Sequence, residues 1–359
     1  MRAKLWRADF NQREGIPAAL GFRMPAEWEA HQATWISWPH KEASWPGKFH
    51  TVEPVMVKAV RALLDSETVH INVLDAAHER HVCELLGTLS HRFAPAFHRL
   101  PTNDAWCRDH GAIFVTRQQQ QKTELAAVDC RFNAWGDKYP PYDLDNAIPS
   151  GMAEFLDVPR FEIDMVLEGG SIDVNGAGSL LTTESCLLNP NRNPDLGKAD
   201  IERRLMGLFG VQQILWLGDG IAGDDTDGHV DDLTRFVAED TVVTVLEEDP
   251  ADENYHALQD NLSRLATARL PDGRPLQVIR LPMPPPVVYE DQRLPASYAN
   301  FYIANRVVLL PIFGHARDQQ AIQVLEKLFP ARRVVGIDCT DLVWGLGAFH
   351  CLTQQVPAI

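Results

Sequence analysis

The chain has 359 residues, 45% of them hydrophobic, enough for a sizeable core. Its 33 Lys and Arg stand against 49 Asp and Glu, a formal charge of −16; this argues against nucleic acid, whose phosphates are held by Lys and Arg, and against an anionic membrane surface. A cationic small molecule is the partner such a field attracts, and no apolar run reaches the ~18 residues of a transmembrane helix.

Residues Met1 to Glu14 interrupt their apolar stretches with charge too often for a secretory h-region. A reducing cytoplasm is therefore expected, with Cys83, Cys107, Cys130, Cys186, Cys339 and Cys351 as thiols rather than disulfides. A helical pattern over Val55–Leu64 leads into a strand at Val69–Leu74. Ala112–Thr116 and Leu125–Asp129 read as a hairpin, with Gln118–Gln121 at its solvated tip. Further hairpins pair Ser171–Val174 with Leu180–Thr183, and Leu233–Val237 with Thr241–Leu246. A helix over Tyr255–Ala266 then precedes a strand at Leu276–Leu281, and Leu281–Pro286 reads as a short stiff loop. The last hairpin joins Phe301–Ile303 to Val307–Pro311, before a helix at Asp318–Phe329 and a strand at Arg333–Ile337.

The order hairpin, helix, strand recurs at roughly 60-residue intervals, so about five units fit the chain. The expected fold is α/β, a closed five-bladed propeller of ββαβ modules forming a single catalytic domain over residues 1–359. A doubly wound open sheet would need parallel crossovers throughout and leaves the hairpins unexplained.

The densest polar cluster is Gly223–Asp232. It lacks the terminal Glu of an EF-hand loop and a second His at helical spacing, so it reads equally as an Asp/Gly turn entering a strand. On a strand, the period of two would put His229 and Asp231 on one face, a proton-transfer group and an anion aimed into one pocket. Near the C-terminus, Gly345 and Gly347 permit close backbone approach ahead of Cys351. His350, adjacent to Cys351 on a strand, would point the other way and is read as structural. Asp109 follows Trp106, and Glu168 ends the apolar run Met165–Leu167; singly, each reads as a cap or an ion-pair partner.

Taken together, these stretches resemble the agmatine deiminases and the related bacterial peptidylarginine deiminases, of the guanidino-modifying pentein superfamily. The resemblance runs from Met24–His40 through Trp106–Gly111, Phe132–Gly136, Leu167–Gly170 and Asp224–Asp231 to His350–Gln355. It implies the five-unit ββαβ propeller, with Cys351 as nucleophile and His229 as general acid/base. It further implies that Glu168 supports the histidine and binds a guanidine nitrogen, while Asp109 and Asp231 clamp the guanidinium, whose planar N–H fork suits paired carboxylates. Trp106 reads either as a wall for the substrate's alkyl chain or as an ordinary core tryptophan. No metal or organic cofactor is implied, and the partner is a small cationic guanidino compound, with a homo-oligomer left open.

Three departures bear on substrate. Gly345-Leu346-Gly347-Ala348-Phe349 stands where agmatine deiminases carry Gly-Gly-Gly-Asn-Ile, Ala112 replaces a proline, and Asp232 replaces an asparagine. Hydrolysis of agmatine is the first expectation, and peptidylarginine, free arginine or another guanidine the second. A non-catalytic guanidine binder or an Asp/His metal protein is the reading from another class.

Overall fold

A computed structural model describes residues 4–10, 15–88 and 90–359. Residues 1–3 and 11–14 of the N-terminal stretch read above lie outside it. Among the described residues, no helix is long and apolar enough to cross a membrane, and all six cysteines are free thiols.

One local plan recurs. Ile113–Gln119 pairs antiparallel with Lys122–Arg131, and the chain passes through helix Asp143–Leu156 before Arg160–Val166 returns parallel to the second strand. Asp173–Val174, Ser179–Thr183, helix Lys198–Phe209 and Gln213–Leu217 repeat the plan. So do Thr234–Ala238, Thr241–Leu246, helix Tyr255–Thr267 and Gln277–Pro282. Tyr302–Ile303, Val307–Ile312, helix Ala316–Leu328 and Arg333–Asp338 repeat it once more. The helix in each case is the crossover that a parallel return requires.

A further sheet joins the two ends of the chain. Thr353–Pro357 lies antiparallel to His31–Ser37, which pairs in parallel with Thr68–Asn72 after helix Phe49–Leu64, and Pro95–His98 adds an edge strand. The architecture is mixed α/β, with the helices packed by one apolar stripe each. Helix Phe49–Leu64 buries Val52, Val55, Met56, Ala59, Val60 and Leu63, the spacing of one helical face. Each such side chain contributes on the order of 1.5–3 kcal/mol when fully buried. Helix Tyr255–Thr267 is tied polar-side as well: Asn261 accepts from Gly218 N–H at 2.7 Å and donates to the Asp219 carbonyl at 2.9 Å.

Two local expectations are corrected. His229 and Asp231 are not on a strand: Val230–Asp232 is a turn of 3-10 helix, and the strand begins at Thr234. His350 and Cys351 also lie in a helical turn, Phe349–Leu352, ahead of the strand from Thr353. Adjacent residues on a helical turn are only about 100° apart, so the two side chains need not diverge.

Candidate active site

Three hairpins and the closing strand Thr353–Pro357 are entered through such short turns, and each turn carries or directly follows one or more candidate residues. Cys107–His110 carries Asp109, and Val230–Asp232 carries Asp231 with His229 just before it. Glu168 immediately precedes Gly169–Ser171, and Phe349–Leu352 carries Cys351. Gly170 shows how closely they converge. A Cβ there would fall 2.6 Å from His229 Nδ1, 2.8 Å from Asp109 Oδ1 and 3.0 Å from Asp231 Oδ2, so only glycine fits between the three.

The Cys351 sulfur lies 3.6 Å from Asp231 Oδ2 and accepts from Asn300 Nδ2 at 3.0 Å. Burial pushes its thiol well above the ordinary range, and the Asp231, Asp232 and Asp109 carboxylates push the same way. Asp231 Oδ2 also lies 2.6 Å from His350 Nδ1, and Asp231 Oδ1 has no hydrogen-bond partner in the protein. The other ring nitrogen of His350 is 2.8 Å from Glu27 Oε2. His350 therefore belongs to the site, contrary to its reading as merely structural. Glu27 is fully enclosed, and burial alone would raise its carboxyl; Arg235, His350 and Arg108 outweigh that and hold it well below the usual range.

Asp109 accepts from Gly170 N–H and Trp135 Nε1, both at 2.9 Å. Burial, reinforced by the Asp231 and Glu168 carboxylates, pushes it up to about 6 despite the pull of His229. His229 is completely buried, with Nδ1 3.8 Å from Asp109 Oδ1 and neither ring nitrogen hydrogen-bonded. Burial pulls its pKa down, but Asp109, Cys186 and Asp231 prevail and hold it well above the ordinary value. Glu168 accepts from Arg192 Nε at 2.5 Å through Oε1, while its Oε2 has no partner. Arg192 is anchored in turn by Asp227 at 2.6 Å and the Thr226 carbonyl at 2.9 Å.

A cavity of 240 Å³ opens onto Cys351 and Asp109. Glu168, His229 and Asp231 are fully buried and are not among its lining residues. Trp106 both lines the cavity and packs on Trp45, with ring centroids 5.4 Å apart, so the two readings of this residue are compatible. Gly347 is required here, since a Cβ would meet the Trp106 ring at 2.6 Å. Leu346 lines the same cavity from a left-handed backbone, φ 69°.

Among the described residues, two groups bring three metal-type ligand atoms within 4.8 Å of one another: Glu168, Cys186 and His229, and Asp231, Asp232 and Cys351. The first already holds the Arg192 guanidinium on Glu168, and in the second Asn300 Nδ2 donates to both Asp232 and Cys351.

The resemblance did not identify Glu27, Arg192, Trp135 or Asn300. Glu27 and Trp135 fall inside quoted motifs without a role, and Arg192 sits in Asn189-Pro-Asn-Arg-Asn-Pro194, a run whose composition signals only turns.

The fold and site define a mixed α/β protein built around a buried cysteine, a histidine and converging carboxylates. The chain belongs to the Porphyromonas-type peptidyl-arginine deiminase family, which it matches over residues 23–357. It is 36% identical to an agmatine deiminase of Medicago truncatula over 376 residues, spanning 96% of this chain and 99% of that one. It superposes on an agmatine deiminase of Enterococcus faecalis with TM-score 0.88 at 32% identity, covering 95% and 97% of the two chains. An agmatine deiminase of C. jejuni matches with TM-score 0.82 at 32% identity, over 94% and 96%.

Proposed function

We propose that this protein hydrolyses agmatine to N-carbamoylputrescine and ammonia through a covalent amidino intermediate on Cys351. The observation that carries the reading is the placement of Asp231: one oxygen faces the Cys351 sulfur at 3.6 Å, and the other is buried without a partner. A guanidinium N–H on that second oxygen, with Asp109 and Glu168 Oε2 taking others, would bring the central carbon to the sulfur. An acceptor left buried and unpaired costs about 1–3 kcal/mol; a bound guanidinium would remove that cost at two carboxylates.

Binding of the cation offsets the carboxylates that oppose ionisation of Cys351, so the thiol releases its proton to solvent. The thiolate attacks the guanidinium carbon, forming the C–S bond and a neutral tetrahedral intermediate. His229, held protonated by its carboxylate neighbours, gives its proton to the departing nitrogen as the C–N bond breaks and ammonia leaves. The cationic amidino-thioether remains. Neutral His229 then takes a proton from water as the oxygen adds to carbon. Collapse of the second tetrahedral intermediate breaks the C–S bond, its electron pair leaving on sulfur as thiolate, and the hydroxyl proton passes to solvent as the C=O bond of the ureido product forms. These steps need neither metal nor organic cofactor.

Agmatine is favoured over arginine by the cavity wall. Asp104 and Asp225 line it, and Lys41, the one basic side chain among the described lining residues, is paired to Asp104 at 3.2 Å. A second cation at the substrate's far end suits that wall better than an α-carboxylate. The recurring sheets support a ring of five ββαβ units, the fifth closed by the chain's two ends, acting as one domain. Comparison of kcat/KM for agmatine, free arginine and a blocked peptidylarginine, with ureido product and ammonia both measured, tests the assignment. Agmatine should lead by at least tenfold; preference for the peptide would replace it.

A further inference from the structure

Four turns at strand entries deliver candidate chemistry, and the segment just before the hairpin strand Tyr302–Ile303 delivers Asn300. This side chain is 1% exposed and makes contacts in two directions. Its Oδ1 accepts from the backbone N–H of His350 at 3.0 Å and of Cys351 at 3.4 Å. Its Nδ2 donates to the Cys351 sulfur at 3.0 Å and to Asp232 Oδ1 at 3.0 Å. The two main-chain N–H groups fix the orientation of the amide, because a flipped amide would set donors against donors. One side chain thus grips the nucleophile by its backbone and by its sulfur at once.

We propose that Asn300, oriented by Asp232, is a further positioning residue for the reaction, donating an N–H to the Cys351 sulfur that is stronger to thiolate than to thiol. The proposal rests on the reading of Cys351 as nucleophile. A hydrogen bond to an ionised acceptor is roughly twice as strong as one between neutral groups. The Asn300 amide therefore acts against burial and the surrounding carboxylates, which hold the thiol neutral. Its contribution falls when sulfur bonds to carbon and returns when the thiolate departs from the second tetrahedral intermediate. Asp232 suits the orienting role because Oδ1 accepts from Nδ2 at 3.0 Å, while its own burial and the neighbouring Asp231 hold its carboxyl well above the ordinary range, which lessens the negative charge beside the sulfur.

Asn300→Asp provides one arm of the test, retaining an acceptor for both main-chain N–H groups but removing the donor to sulfur and to Asp232 and adding a carboxylate; Asn300→Ala, which removes the donors without adding charge, provides the other. The readouts are the pH midpoint of Cys351 alkylation without substrate, kcat and KM for agmatine, and Tm. The midpoint should rise by about one unit or more and kcat should fall about 10–100-fold, the worth of a charge-assisted bond. KM should change by less than about threefold, since Asn300 is not among the carboxylates assigned to the guanidinium. A folded Asn300→Ala variant with an unmoved alkylation midpoint overturns the proposal and leaves Asn300 a structural residue. Should that variant misfold, the parent protein still decides: the assigned Asn300 side-chain amide resonance must shift with pH at the alkylation midpoint, and a flat titration overturns the proposal. If the parent is alkylated at Cys351 yet does not turn over agmatine, it is the functional reading that fails, while the midpoint shift continues to report on Asn300 and sulfur.

Discussion

Asp231 Oδ2 lies 2.6 Å from His350 Nδ1, and His350 Nε2 reaches Glu27 at 2.8 Å, so the histidine next to Cys351 joins two buried carboxylates. This bridge orients Asp231 with its free oxygen Oδ1 away from His350. His350→Gln cannot span both partners. Loss of a buried hydrogen-bonded partner costs about 1–3 kcal/mol, so kcat/KM for agmatine should fall about 10–100-fold in a protein whose circular dichroism is unchanged. Unchanged kinetics would return His350 to a packing role.

Arg192 holds Glu168 at 2.5 Å with both side chains fully buried. Arg192→Gln leaves the Glu168 carboxylate buried without its countercharge, an effect of about 3–5 kcal/mol on stability. The urea midpoint should fall accordingly. The double variant Glu168→Gln with Arg192→Gln should recover much of that stability and none of the activity. A double variant as unstable as the single one would show that packing, not charge, is at stake.

Asp109 is pushed up to about 6 chiefly by burial. Below that pH the free enzyme carries a neutral acid that cannot pair with a guanidinium, so kcat/KM should fall towards tenfold per unit as pH drops below about 6. The sign for stability is opposite. A carboxyl whose native pKa exceeds its unfolded value contributes stability at low pH and loses it as pH rises through about 6. Relative to the parent, Asp109→Asn should therefore gain stability between pH 4 and pH 7 while losing turnover, readable as a pH series of urea midpoints. A constant difference across that range would contradict the raised pKa.

Leu346 holds a left-handed backbone, φ 69°, at the cavity wall. That conformation costs a non-glycine residue roughly 1–2 kcal/mol. Leu346→Gly should leave Tm unchanged or higher and open the wall, raising the kcat/KM of blocked peptidylarginine relative to agmatine. A drop in that ratio would remove Leu346 as a determinant of substrate size.

The hairpins and crossover helices were legible because their periodicity is local: the helices expected at Tyr255–Ala266 and Asp318–Phe329 lie within a few residues of Tyr255–Thr267 and Ala316–Leu328. The sheet built from both chain ends was not, since Thr353 pairs with Ile36 and no local pattern links them. At the site, His229 and Asp231 do converge, both beside Gly170, but through a 3-10 turn rather than strand alternation. Strand logic also misdirected His350, which lies on a helical turn beside Cys351. Arg192, Glu27 and Asn300 were hidden for a common reason: each acts on a residue distant in sequence, such as Asn300 on Cys351. Partnerships of that kind carry no spacing signal.

The central claim is that a buried set of carboxylates holds a guanidinium where the Cys351 sulfur can reach its carbon. Acid-quenching the enzyme during agmatine turnover and mapping its peptides by mass spectrometry tests this most directly. The account requires an adduct on Cys351 with the mass of agmatine less ammonia, absent in Cys351→Ala, which should be folded and inactive. Full turnover by Cys351→Ala, or an adduct on any other residue, would contradict it.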